Sequence, residues 1–236
     1  RTSTKLSWLV LLYFLPRENR LMGKFFKLKI NKAAFEKQAS KGLDSKNIKD
    51  KAYDQAEKVA ENARDELVKE FDSHPITKEI DAGASNTKNI SRNLLGLPYG
   101  KGSLFGFIGF DNSSNPTSEV KSYLKSTGHV SKRTRLQRRG TRRGSYTFKV
   151  EVPNMNQIEG FTPMPWEGGR SWVRAIERGI SGLSYYLARQ MGQGRSGQGI
   201  QSRNSVHSGA MYKPSKYMSE MINHYIRRLQ GRRIKG

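Results

Sequence analysis

Cysteine is absent from this 236-residue chain, which removes disulfides, thiolate metal sites and a cysteine nucleophile in one step. Histidine is scarce. His74, His129, His207 and His224 lie far apart, and no two stand at the i, i+3 or i+4 spacing that lets a helix offer two ligands to zinc. Neither a metal site nor any other cofactor is expected. Apolar sequence is in short supply too. The run Trp8–Pro16 (WLVLLYFLP) is too short to span a bilayer, and no small-x-small cleavage pattern follows it. It reads as neither a membrane helix nor a signal peptide, so no membrane partner is expected. The first methionine is Met22, and residues 1–21 are expected to be an N-terminal extension not native to the protein, the alternative being a docking segment. Only 35% of residues are hydrophobic, against 27% charged and 23 glycines. A core of that size is modest and predicts that part of the chain leans on neighbours for burial.

Negative charge is the other shortage. There are 43 Lys and Arg against 20 Asp and Glu, a formal balance of +23, and self-repulsion at that level favours a polyanionic or acidic partner. The excess is uneven: residues 131–236 hold 21 basic and 5 acidic side chains, residues 1–130 hold 22 and 15.

The chain length suits one domain with appendages. In Lys24–Ile30 (KFFKLKI), Phe26, Leu28 and Ile30 alternate with lysines, the period of a half-buried strand, and Asn31 can cap a short helix to Ala39. From Ile48 to Phe71, Ala52, Ala56, Val59, Ala63, Leu67 and Phe71 recur at steps of three and four, which predicts a long helix stopped at His74-Pro75. Its alanine-rich stripe permits close approach while burying little area. Residues 82–102 read as a loop leading to a strand at Leu104–Phe110, and a second strand at Tyr146–Val152 is expected to pair with it. Between them lies a basic insertion, residues 112–144. A helix is predicted over Ser171–Met191, with Trp172, Ile176, Ile180, Leu183 and Leu187 on one stripe and Ser171 as cap. Residues 192–209 have the Gly/Ser/Gln/Arg composition of a flexible linker, followed by a helix at Ser215–Leu229. The expected organisation is therefore an α+β core over residues 22–191 and an arm over 192–236. The arm's apolar face, Met218, Met221, Ile222, Tyr225 and Leu229, is expected to order on a neighbouring subunit.

No catalytic constellation emerges, and no enzyme or small-molecule substrate is expected. Gly96–Gly102 (GLPYGKG) has the glycines of a phosphate loop one residue too close, with Gly102 where Ser or Thr must hold magnesium. Gly192-x-Gly194-x-x-Gly197 follows a helix where a dinucleotide fingerprint must follow a strand. The acids Glu57, Glu61, Asp65 and Glu66 sit among lysines and arginines on the polar face of the long helix, an ordinary solvated arrangement. Two features carry contact chemistry instead. Ser131–Gly144 (SKRTRLQRRGTRRG) has seven Lys or Arg in fourteen residues and no acid. Such density repels itself and predicts a mobile run. Its Lys132, Arg133, Arg135, Arg138, Arg139, Arg142 and Arg143 are candidates for contact with a polyanion or an acidic subunit. Around the second helix, Trp166 and Trp172 stand beside Arg170 and Arg174, the aromatic-arginine pairing typical of subunit interfaces.

Several segments resemble the tail-completion, head-to-tail joining and neck proteins of tailed bacteriophages. These are the alanine-rich helix with Ala63-Arg64, His74-Pro75-Ile76-Thr77-Lys78-Glu79-Ile80, Gly102–Phe110, and Met164-Pro165-Trp166 with Arg170-Ser171-Trp172 before Ala175-Ile176-Glu177. The resemblance spans about residues 45–190. It implies a small α+β subunit, a sheet packed on helices, that forms a homo-oligomeric connector or terminator ring in the virion, assembled in the bacterial cytoplasm. Adjacent virion proteins such as connector and tail tube would be its partners. The arginine-rich insertion and the C-terminal helix depart from the compact family pattern. From a different class, a ribosomal or nucleoid-type protein whose basic segments coat RNA or DNA fits the same composition.

The stripe assignment of the long helix is directly testable. Ala63→Asp puts a charge on the buried side and is expected to destabilise by several kcal/mol, on the order of 3 or more. Urea unfolding measures it, and an unchanged midpoint would put Ala63 on the wrong face.

Overall fold

The computed structural model describes residues 25–31, 45–83, 85–86, 88–95, 103–131, 135–139, 143–165, 167–180, 186–188, 200–202 and 211–231. The expected N-terminal extension, the helix after Asn31, both glycine-rich near-motifs, and Lys132, Arg133, Arg142, Trp166 and Leu183 lie outside these residues. The chain is α+β. In order, its described elements are β1 (Phe25–Asn31), α1 (Ser45–Ser73), α2 (Pro75–Asp81), β2 (Leu94–Leu95), α3 (Leu104–Ile108), α4 (Pro116–Ser126), β3 (Arg135–Arg139), β4 (Arg143–Glu151), α5 (Met155–Phe161), β5 (Pro163–Met164), β6 (Glu167–Ser171), α6 (Trp172–Arg178), β7 (Tyr186–Ala188), β8 (Ile200–Ser202), β9 (Met211–Tyr212) and α7 (Met218–Leu229). They fall into two compact units: Arg1–Leu67 with Lys125–Pro153 and Ile222–Gly236, and Val68–Leu124 with Asn154–Met221.

The first unit is built on an antiparallel sheet in the order β1-β4-β3. β1 runs along β4 from Phe25↔Glu151 to Asn31↔Ser145, and β3 pairs with the other edge of β4 from Arg135↔Thr147 to Arg139↔Arg143. Just before β3, a Val130↔Val150 bridge keeps the chain against β4. The expected partner of β4 was Leu104–Phe110, so the pairing is corrected: β1, far away in sequence, and the basic run take its two edges. The alanine stripe of α1 lies where the sequence placed it, with Ala52, Ala56, Ala60, Ala63 and Leu67 all buried. Ala60, not Val59, completes the row. Small side chains let the helix lie close to the sheet, where the Tyr53 ring meets Phe148 at 6.1 Å and its hydroxyl donates to the Val130 carbonyl at 3.3 Å. From the last helix, Ile222, Tyr225 and Leu229 are buried here, and the Tyr225 hydroxyl donates to the Glu151 carbonyl at 3.4 Å.

The second unit is mainly helical. Ser73 ends α1 as the proline requires, but the chain restarts at once: Pro75 occupies the first turn of α2, where its missing N–H costs nothing, and His74 caps it. One face of α2 carries Glu79, which is fully buried. Its Oε1 accepts from the Leu104 N–H at 2.8 Å and its Oε2 from the Ser91 N–H at 2.6 Å. A single side chain thus fixes the long connection from α2 to α3 at two points, and its removal would strand two donors at about 1–3 kcal/mol for each that stays away from water.

Leu104–Ile108 is a helix, not the expected strand. A short, wholly apolar run has no periodicity to decide between the two, and here every residue from Leu104 to Phe110 is buried. The Ser103 hydroxyl caps it by accepting from the Gly106 N–H, and Gly109 ends it in the left-handed region at φ 84°. The insertion 112–144 is corrected likewise. It contains α4, with Val120 and Leu124 fully buried, and β3. α6 stops at Arg178, well short of the expected Met191, because Gly179 takes φ 82° with Pro214 packed so tightly that a Cβ would meet it at 2.9 Å. Ile180 then bridges to Tyr212.

The largest correction concerns the C-terminal segment. Within the expected linker, Ile200–Ser202 pairs with Tyr186–Ala188 as a small sheet, and the other residues of 192–209 lie outside those described. Met211–Tyr212 pairs with Leu94–Leu95. Tyr217 is completely buried, its hydroxyl sharing a 2.7 Å hydrogen bond with the Thr77 hydroxyl and its ring packed on Phe71 and His74. Met218 and Met221 are buried in the same unit. The face expected to await a neighbour is covered by its own chain.

Candidate assembly surfaces

The buried ionisable side chains have structural roles that account for their positions. Burial pushes the Tyr217 and Tyr225 hydroxyls above the ordinary phenol range, and Tyr212 likewise. Each is held by a hydrogen bond: Tyr217 to Thr77, Tyr225 to the Glu151 carbonyl, Tyr212 to the Asn93 amide. His74 is pushed below its ordinary value by burial, against the upward pull of Glu70 and Glu220. Its Nδ1 accepts from the Ile76 N–H at 3.2 Å, so the neutral ring is the one that caps α2. Among the described residues no group of three His, Asp or Glu could hold a metal ion, and no helix is long and apolar enough to cross a membrane.

Exposed charge among the described residues is grouped by sign. In the second unit a shallow cleft of about 270 Å³ is lined by Glu159, Gly169, Arg170, Ser171, Arg174 and Arg178. Its position follows from local structure. β6 delivers Arg170, Ser171 caps α6 by accepting from the Arg174 N–H at 3.2 Å, and one and two turns on the helix present Arg174 and Arg178 on the same side. Arg174 forms an ion pair with Glu159 at 2.9 Å, and all three arginines are exposed. Arg170 and Arg174 were legible as interface candidates; Arg178 was not, although the i, i+4 step from Arg174 was its signal.

Of the other candidates, Trp172 is buried core, its ring edge-on to Phe110 at 5.8 Å, and Met218, Met221, Ile222, Tyr225 and Leu229 are buried as well. All six are covered within the chain. Arg135, Arg138 and Arg139 lie on β3 and Arg143 opens β4, so these four members of the arginine run stand in paired antiparallel strands. Unlike charge is displayed on α1. Its outer side exposes Asp50, Asp54, Glu57, Glu61, Asp65 and Glu66 against Lys51, Lys58 and Lys69. Glu66 also meets Arg228 at 3.5 Å. In a chain of +23 this is a local reversal of sign.

No protein-family model, curated protein or solved structure matches this chain.

The cap at His74 makes stability depend on pH. With its folded pKa lowered, the folded state resists the proton that the unfolded chain accepts near pH 6.5. Stability is then full above about pH 7 and falls as the solution is acidified through the unfolded value near 6.5. His74→Asn keeps an acceptor without the titration, so thermal melts should be flat across that window. An equal decline in the variant would assign the loss to another group.

Proposed function

We propose that this chain is a non-enzymatic structural subunit of a tailed-bacteriophage virion, building a connector or terminator ring at the neck or tail end. The observation that supports it most is the segregation of exposed charge, with an acidic ridge along α1 and an arginine-lined cleft at Arg170, Arg174 and Arg178. A subunit with two unlike, complementary surfaces forms heterologous contacts, the kind that close into rings, whereas a two-fold dimer needs one self-complementary patch. Charge of this type fixes register and suppresses wrong partners more than it adds affinity. The α+β architecture, a sheet packed on a long helix, agrees with what the resemblance to neck and tail-completion proteins implies. Assembly in the bacterial cytoplasm, with adjacent connector and tail-tube proteins as neighbours, follows from the same reading.

Charge reversal tests it. The wild-type protein should sediment as a discrete closed oligomer. Arg170→Glu with Arg178→Glu, which leaves the Arg174–Glu159 pair in place, should give monomers of unchanged melting temperature. Glu57→Arg with Glu61→Arg should also be monomeric, and mixing the two variants should restore pairing through the two reversed surfaces. A wild-type protein that stays monomeric, or variants that assemble as it does, would overturn the proposal.

A further inference from the structure

The sheet of the first unit has two unlike faces, and its register identifies both. In an antiparallel sheet, residues paired across strands share a face, and successive residues alternate. Leu28 pairs with Phe148, and both are buried; Lys27 pairs with Lys149, and both are exposed. The odd-numbered positions of β1 and β4 therefore form the outer face. Lys29 takes its place there opposite Thr147, and on the far side of β4 the same rows hold Arg135, opposite Thr147, and Arg139, opposite Arg143. Six cationic positions, 27, 29, 135, 139, 143 and 149, thus stand on one face contributed by three strands. Glu151 is its one acid, at the end of β4, and Thr147, in the middle row, is its buried position.

We propose that this face binds the phosphate backbone of double-stranded nucleic acid without regard to base sequence. The density of positive charge points there. Positions on the face repeat at about 6.6–6.8 Å along a strand and about 4.8 Å between strands, a grid set by backbone hydrogen bonds. Double-stranded DNA offers one phosphate charge per about 1.7 Å of axis whatever its sequence, and gains from releasing its condensed counterions. The acidic ridge of α1 answers only part of a net charge of +23, so copies of this chain cannot neutralise one another. An external polyanion is the partner that can. The binding does not depend on ring formation, and a monomer would show it.

The probe is a fluorescent mixed-sequence DNA duplex, with binding to the full chain followed by anisotropy as salt rises from about 50 to about 200 mM. Each phosphate neutralised contributes about −0.9 to the slope of log affinity against log salt, so the wild type should approach a slope of about −5. Lys27→Glu with Lys149→Glu, both at exposed positions, should weaken binding by about 10-fold or more and flatten the slope by about two. Lys27→Gln with Lys149→Gln should fall between it and the wild type. Lys213→Glu with Lys216→Glu removes equal charge from exposed positions of the second unit and should change affinity by less than about 3-fold. Absence of wild-type binding, equal losses in the two Glu pairs, or poly-glutamate competing as well as duplex would each overturn the proposal. The last would assign the face to an acidic protein.

Discussion

The constraint on which the rest depends is the burial of the last helix inside its own chain. A sequence with 35% hydrophobic residues and no cysteine has few means of holding itself together, and it commits a run of large apolar side chains near its C-terminus to the core. Tyr217, Met218 and Met221 are buried in the second unit, and Ile222, Tyr225 and Leu229 in the first. Each such side chain contributes about 1.5–3 kcal/mol by leaving water. Together they are on the order of 10 kcal/mol, comparable with the net stability of a whole domain, about 5–15 kcal/mol. The helix is a structural member, and its apolar stripe is spent on the chain's own core.

Long, periodic elements were legible. The stripe of α1 shows from Ala52 to Phe71, and the alternation of Phe26, Leu28 and Ile30 identifies β1 without reference to its partner. What the sequence hid was context. Leu104–Ile108 is apolar on all sides, so its helical state is decided by the Ser103 cap and by the Glu79 carboxyl group at its first N–H, two residues whose roles need the tertiary fold. α4 begins at Asn115-Pro116, which reads as a turn yet also as a helix start with proline in the first turn. The arginine run reads as mobile from its charge alone. Backbone pairing with β4 is indifferent to that charge, and three strands sharing one sheet turn a self-repelling run into part of an ordered face.

The candidate surfaces divide in the same way. Arg170 and Arg174 stand beside Trp172 in sequence and could be found there, and Arg178 follows one helical turn later. Lys27 and Lys149 are far apart in sequence and become one site only through the register of β1 on β4. Trp172 and the apolar residues of α7 are buried within the chain: large side chains mark burial, and the sequence cannot say whether the burying surface belongs to the same chain. Exposed charge narrows the class of partner, because burying it is costly unless the partner carries the opposite sign. The acidic ridge, the arginine cleft and the basic sheet face are three surfaces of that kind, and the proposed ring contacts and the proposed nucleic-acid contact use different ones.

The most direct measurement is made on a chain cut after Ala210, which lacks β9 and α7. If the last helix is part of the core, this chain loses its cooperative thermal transition and its near-ultraviolet dichroism, and adding the missing segment as a peptide restores them. A shortened chain that remains folded, with a sharp transition close to that of the intact protein, would contradict the burial of Tyr217, Met218, Met221 and Tyr225 and return the helix to the role of an arm.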